Sequence, residues 1–201
     1  MENFRLTAVP AELHWEGKPE QWGVEGDAAL WIMAGGRTDL FHDPAGRQRN
    51  ESSPAALFTP PDRQFILSAR VKVGFASDFD AGVLQIRAGR GVWAKLCFEY
   101  SPQREPMIVS VVTRGVSDDC NSVPLARTDV YLRIIQRERT SAFHYSLDGQ
   151  EWRFVRYFSL GARSRLRVGF SSQSPVGAGC RADFAEIRYT PGSIANLRNG
   201  E

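Results

Sequence analysis

The side chains best suited to chemistry are concentrated in Phe79–Arg114, FDAGVLQIRAGRGVWAKLCFEYSPQREPMIVSVVTR. Read with a period of two, WAKLCFEY sends Trp93, Lys95, Cys97 and Glu99 to one face of a strand. Ala94, Leu96, Phe98 and Tyr100 go to the other. If Leu96, Phe98, Leu132, Ile134, Phe143, Tyr145, Val168 and Phe170 fill a core between two sheets, their alternating neighbours point outward. That places Arg87, Trp93, Lys95, Glu99, Arg133 and His144 on the outer face of one large sheet, with Gln85, Ser146, Ser171 and Gln173 beside them. Carboxylates and guanidinium groups hydrogen-bond hydroxyls, and Trp stacks on the apolar face of a sugar ring, so this row suits a polyhydroxylated ligand. Trp93 is the expected platform. Ordinary cross-strand ion pairs, contributing ~0.2–1 kcal/mol each, would account for the same charges without any ligand.

Hydrolysis asks for more. Glu99 becomes a general acid only with a second carboxylate across the cleft, about 5–5.5 Å away for retention or about 6.5–9.5 Å for inversion. Asp39 and Asp80 are the available partners. Asp39, His42 and Asp43 fall together in TDLFHDP, before a Pro-Gly turn, where they could ligate a metal. A run of this kind is more simply read as turn capping, so no metal or other cofactor is expected. Asp39 and His42 still join the ligand-binding candidates. Cys97, Cys120 and Cys180 are odd in number and widely spaced, unlike a disulfide framework or a zinc site, and read as reduced thiols. A thiol nucleophile served by His144 would need a pairing across the fold that spacing does not reveal.

The elements that must position these groups are strands. Phe65–Phe75 alternates strictly, Val130–Gln136 and Ala142–Ser146 alternate too, and Asp148-Gly149 is a hairpin signal between Ala142–Ser146 and a strand starting near Trp152. Further strands are expected at Ala29–Ala34, covered on both faces, at Leu166–Ser171 and at Ala182–Tyr189. Phe4–Val24, with Trp15 and Trp22, reads as a short clamping edge strand. Gly46–Asp62 reads as a long surface loop around an Ala-Leu-Phe piece, and GVSDDCNS as a loop of turn-forming side chains. No segment carries a capped 3.6-residue apolar period. About a dozen short strands joined by Gly, Pro, Asn and Asp turns predict an all-β jelly-roll sandwich of two antiparallel sheets, a single domain over residues 1–201.

Of the 201 residues 42% are hydrophobic, and 25 Lys and Arg stand against 23 Asp and Glu. So small an excess argues against nucleic-acid binding, which calls for a clustered basic face. The groups Arg133, Arg137, Arg139 and Arg163, Arg165, Arg167 read as solvated rims. Nothing resembles a signal peptide or the ~20 apolar residues that span a bilayer, so no membrane association and a cytoplasmic location are expected.

TDLFHDP, FDAGVLQIRAGRGVWAKLCFEYS, IVSVVTRGVSDDCNS, FHYSLDGQEWRFVRYF and VGFSSQSPVGAGC, in that order, resemble the "regulation of enolase protein"-like domains of the DUF1349 type. The resemblance runs from about Trp15 to Tyr189. It implies the concanavalin A-like lectin/glucanase sandwich, in which sugars are commonly bound or cleaved on the concave face of the larger sheet. The glucanase pattern of two Glu flanking an Asp at alternating positions is missing: only Glu99 is present, preceded by Lys95 and Cys97. The leading expectation is therefore a non-catalytic domain binding a carbohydrate or similar polar metabolite. The alternatives are a glycoside hydrolase or lyase using Glu99 with Asp39 or Asp80, and a module that regulates a metabolic enzyme by binding it as a protein partner.

Overall fold

The computed structural model describes residues 3–161 and 165–201. The chain forms β1 (His14–Glu16), β2 (Gln21–Glu25), β3 (Ala29–Gly35), β4 (Leu40–His42), β5 (Arg49–Glu51) and β6 (Ala55–Phe58). Next come β7 (Phe65–Val73), β8 (Ala81–Gly89), β9 (Val92–Tyr100), β10 (Pro106–Arg114) and β11 (Val116–Pro124). The last five are β12 (Asp129–Arg137), β13 (Thr140–Ser146), β14 (Arg153–Phe158), β15 (Arg167–Gln173) and β16 (Gly179–Pro191).

These strands make two seven-stranded sheets, ordered β1-β6-β15-β8-β9-β10-β11 and β14-β13-β12-β7-β16-β3-β2, with β4 and β5 as a separate small hairpin. The fold is an all-β, concanavalin A-like jelly-roll sandwich of two antiparallel sheets. Strict alternation produces it. Leu84, Ile86, Ala94, Leu96, Phe98 and Phe170 from the first sheet meet Leu67, Val71, Leu132, Ile134, Phe143 and Phe184 from the second in one core. Gly82 lets the layers close at one end. A Cβ there would lie 2.5 Å from Val71 Cγ1 and 3.0 Å from Val73 Cγ2, both on the opposing sheet.

Four local readings are corrected. GVSDDCNS is not a loop but most of β11, paired with β10 in register Val111↔Asp119 and Thr113↔Ser117. Its polar composition reflects its place at the sheet edge, where outward charges discourage further pairing. The Gly46–Asp62 stretch contains β6, whose four residues are all buried between β1 and β15 and whose strand pattern is hidden by Pro54, Pro60 and Pro61. The Phe4–Val24 region supplies two edge strands rather than one. β1 closes the first sheet and β2 the second, and Phe4, Trp15 and Trp22 pack together at centroid distances of 4.5–5.6 Å. The expected covering of β3 on both faces is also revised: burial alternates along it, and half-buried Trp31 carries the Arg181 guanidinium 4.5 Å above its ring. Among the described residues no helix is long and apolar enough to cross a membrane.

Candidate functional site

The outer face of the first sheet is built around β9. Trp93, Lys95, Cys97 and Glu99 do share it, as the alternation requires. Antiparallel register sets Gln85 and Val111 beside Lys95, and Ala81 and Met107 beside Glu99. It continues outward to Asp119 and Asn121 on β11 and to Gln173 on β15. Ala81, Val83, Cys97, Met107 and Val109 pack into a low apolar floor. Taller groups from the loops stand round that floor, leaving a pocket of about 500 Å³ lined by Asp39, Phe41, Phe79, Lys95, Glu99 and Gln173, with Asp119 and Asn121 on the β11 side.

Inside, Lys95 is buried. Its ammonium donates to Gln173 Oε1 at 2.8 Å and to Asp39 Oδ1 at 3.3 Å. Gln173 Nε2 in turn donates to the Phe79 carbonyl at 3.2 Å, so one hydrogen-bonded chain runs from Asp39 to the pocket rim. Burial opposes charge on Lys95, but the Asp39 carboxylate and the Cys97 and Glu99 positions outweigh it, and the amine is held above its ordinary pKa. Glu99 behaves oppositely. Burial, opposed by Lys95 and helped by Asp39 and Asp119, pushes its carboxyl up to about 7. Its side chain is only 8% exposed, and among the described residues no donor reaches its carboxyl oxygens. Cys97 lies between them as an inert thiol, driven up by burial and remote from His144 on the other sheet.

Phe79 is a residue that sequence reasoning did not single out. Its φ of 68° is the left-handed region, costly for a large side chain, and it is held there by its own N–H donating to Tyr100 O at 2.7 Å and by Gln173 on its carbonyl. The residue stays 37% exposed and lines the pocket. A turn such as Ser77-Asp78-Phe79-Asp80 hints at an unusual backbone, but which way the ring faces depends on tertiary contacts.

The other predicted residues lie elsewhere. Trp93 is not a platform: it is 2% exposed, packed under Leu40, Phe41 and Val111, with the His42 ring edge-on at 5.7 Å. The β4–β5 hairpin covers it. His42 is buried and holds that hairpin down, with Nδ1 2.9 Å from the Gly115 carbonyl and Nε2 2.6 Å from Glu51. Asp43 accepts from the Ala45 and Arg47 amides, the capping role. Arg87 is tied to Glu16 at 2.6 Å and to Gln85 at 2.8 Å, fastening β1 to the sheet, and desolvation lowers its pKa to about 10. Asp80 is fully buried, accepting from the Ala76 and Ser77 amides and from Ser174 Oγ, so Asp39 and not Asp80 shares the pocket with Glu99. Among the described residues no three His, Cys, Asp or Glu side chains are placed to hold a metal ion.

Arg133 and His144 do not join the site at all. They face each other across β12 and β13 on the outer face of the second sheet, beneath residues 193–201. Arg133 donates to Gly200 O at 3.0 Å and lies 4.1 Å over the Trp152 ring, while His144 Nε2 donates to Leu197 O at 2.9 Å. Ser146 is on that sheet too, capping the Asp148-Gly149 turn. Of the basic groups, Arg137 grips the Ala195 carbonyl at 3.2 Å, Arg167 pairs with Glu16, and Arg163 lies outside the described residues. A larger depression of about 930 Å³ near Pro60, Arg63, Glu138, Arg139 and Arg165 carries exposed charges besides half-buried Asp62, which accepts from Tyr189 OH, so the smaller pocket with its buried Lys95 and Glu99 is the better site.

Similarity to solved structures follows the fold. A functionally unknown protein from Saccharomyces cerevisiae is similar at TM-score 0.80 and 22% identity, over 92% of this chain and 97% of that one. A mutant of the GH43 protein BlXynB from Bacillus licheniformis is similar at 0.70 and 18%, over 88% of this chain but 36% of that one. The alginate lyase from Klebsiella pneumoniae is similar at 0.56 and 10%, over 85% and 84%. A comparison with proteins of curated function finds no match. Residues 15–192 match the family model described as Protein of unknown function (DUF1349), and the chain belongs to that family.

Proposed function

We propose that this chain is a non-catalytic domain that binds a carbohydrate or similar polar metabolite in the pocket around Lys95 and Glu99. The observation that carries the reading is Glu99, a nine-tenths buried carboxyl that faces an open pocket with no donor of its own among the described residues. Its carboxyl oxygens are open to the pocket, so a ligand hydroxyl can donate to them without displacing a protein partner. Phe79, exposed at the rim, replaces Trp93 as the surface on which a sugar ring can lie. Titration calorimetry against a panel of mono- and oligosaccharides tests this. Binding is expected in the millimolar range or tighter, and Phe79→Ala should weaken it roughly ten-fold, about 1.4 kcal/mol. No heat from any sugar at millimolar concentration would overturn it.

One observation favours a second reading, a glycoside hydrolase or lyase. A carboxyl raised to about 7 with a second carboxylate, Asp39, in the same pocket is how an acid is kept ready at neutral pH. Against it, Asp39 is already engaged by Lys95. The discriminating variant is Glu99→Gln: if turnover exists it should vanish with folding intact, and an unchanged rate would dismiss catalysis.

A further inference from the structure

The charge balance of the pocket narrows the ligand class, given the reading above that this pocket is a ligand site. Three carboxylates line it from three separate elements: Asp39 just before β4, Glu99 on β9 and Asp119 on β11. Among the described residues Lys95 is the only Lys or Arg in the lining, and it is already committed to Asp39 and Gln173. Glu99 and Asp119 have no hydrogen-bond or ion-pair partner among the described residues; the neighbouring Arg156 pairs instead with Asp118 at 3.0 Å. The lining is thus short of positive charge.

We propose that the recognised ligand carries an ammonium group, as an aminated sugar or a polyhydroxylated amine, seated on the Glu99 carboxyl with Asp119 at the mouth. An ammonium there makes a charge-assisted hydrogen bond with a desolvated carboxylate, the stronger kind. An anionic ligand such as a uronate or phosphate would meet two uncompensated carboxyl groups, Glu99 and Asp119, because Lys95 and Asp39 offset each other. The groups facing Glu99 are Lys95 and the Cys97 thiol on its own strand, Asp39 from the loop before β4, Asp119 from β11 and Gln173 from β15. Because burial keeps part of Glu99 protonated near neutrality, ionising it with rising pH should tighten an ammonium ligand and leave a neutral one little changed.

The test is calorimetry on the full chain with three matched probes on glucose, galactose, mannose and xylose: 2-aminoethyl, 2-hydroxyethyl and carboxymethyl glycosides, at pH 6 and pH 8. The aminoethyl probe of at least one sugar is expected to bind ten-fold or more tighter than its hydroxyethyl twin at pH 8. The margin should shrink at pH 6, and the carboxymethyl probe should not bind. Glu99→Gln should erase the amine preference, with circular dichroism checking the fold. Exposed Asp119→Asn, which leaves the core untouched, should reduce it about three-fold. Hydroxyethyl or carboxymethyl binding equal to or tighter than aminoethyl overturns the ammonium proposal while leaving the sugar reading standing. Binding by none of the probes overturns both.

Discussion

Replacing Asp39 by Asn should destabilise the protein by about 3 kcal/mol or more, the usual cost of removing one partner from a buried ion pair. The Lys95 side chain is only 3% exposed, and Asp39 supplies the first of the charges that keep its ammonium favourable there. Without it, Gln173 offers a dipole but no charge, and burial acts against only the weaker charges at Cys97 and Glu99, so the Lys95 pKa falls from its raised native position. The native raised amine contributes stability that is full below the unfolded Lys pKa and fades as pH rises, so the deficit of Asp39→Asn should be larger at pH 7 than at pH 10. Urea unfolding at both values measures it. Combining Asp39→Asn with Lys95→Met removes the orphaned charge and should recover most of the loss. An unchanged midpoint in the single variant would mean that water, not Asp39, solvates the amine.

The second large effect belongs to the other sheet. His144 is fully buried, and burial, with Arg133 beside it and partly opposed by its bond to Leu197 O, lowers its pKa to about 4 from 6.5. The unfolded chain therefore binds the extra proton between those values. Stability from this group is complete above about pH 6.5 and is lost as pH falls toward 4, by up to about 3 kcal/mol. Residues 193–201 should loosen first, since His144 and Arg133 hold their carbonyls and Ile194 and Leu197 pack on Ile66, Ile135 and Ala142. Glu99 has the opposite slope: its raised carboxyl stabilises fully below about pH 4.5 and loses that stability as pH rises through about 7. The two partly cancel in the native protein. The difference between His144→Gln and wild-type unfolding curves from pH 7 to pH 4 isolates the histidine, and a flat difference would refute the assignment.

Both effects come from residues that the alternation pattern nominated together, and the structure separates them. A period of two tells which side of its own sheet a residue occupies. It placed Leu96, Phe98, Leu132, Ile134 and Phe143 inside, and they are. It cannot tell one sheet's outer face from the other's, because both read as apolar-in, polar-out. Alternation therefore groups Arg133 and His144 with Lys95 and Glu99 although the whole core lies between them. Nor does the pattern reveal what covers an outer face. Trp93 has a surface residue's spacing, yet the β4–β5 hairpin buries it.

The two-sheet architecture, the inward residues and the Lys95–Glu99 strand follow from local chemistry: side-chain alternation, turn residues and the lack of any helical period are properties of neighbours along the chain. The pocket does not. Asp39 and Lys95 are 56 positions apart, Lys95 and Gln173 are 78, and Phe79 reaches Gln173 across 94. Strand order and loop packing alone bring them together, and with them come two features of the pocket. Asp39 offsets the charge of Lys95, and Glu99, on the same strand, is largely buried with no hydrogen-bond partner among the described residues. WAKLCFEY thus supplies the groups, and long-range packing sets their charge states by deciding how much water and which counter-charge each one keeps.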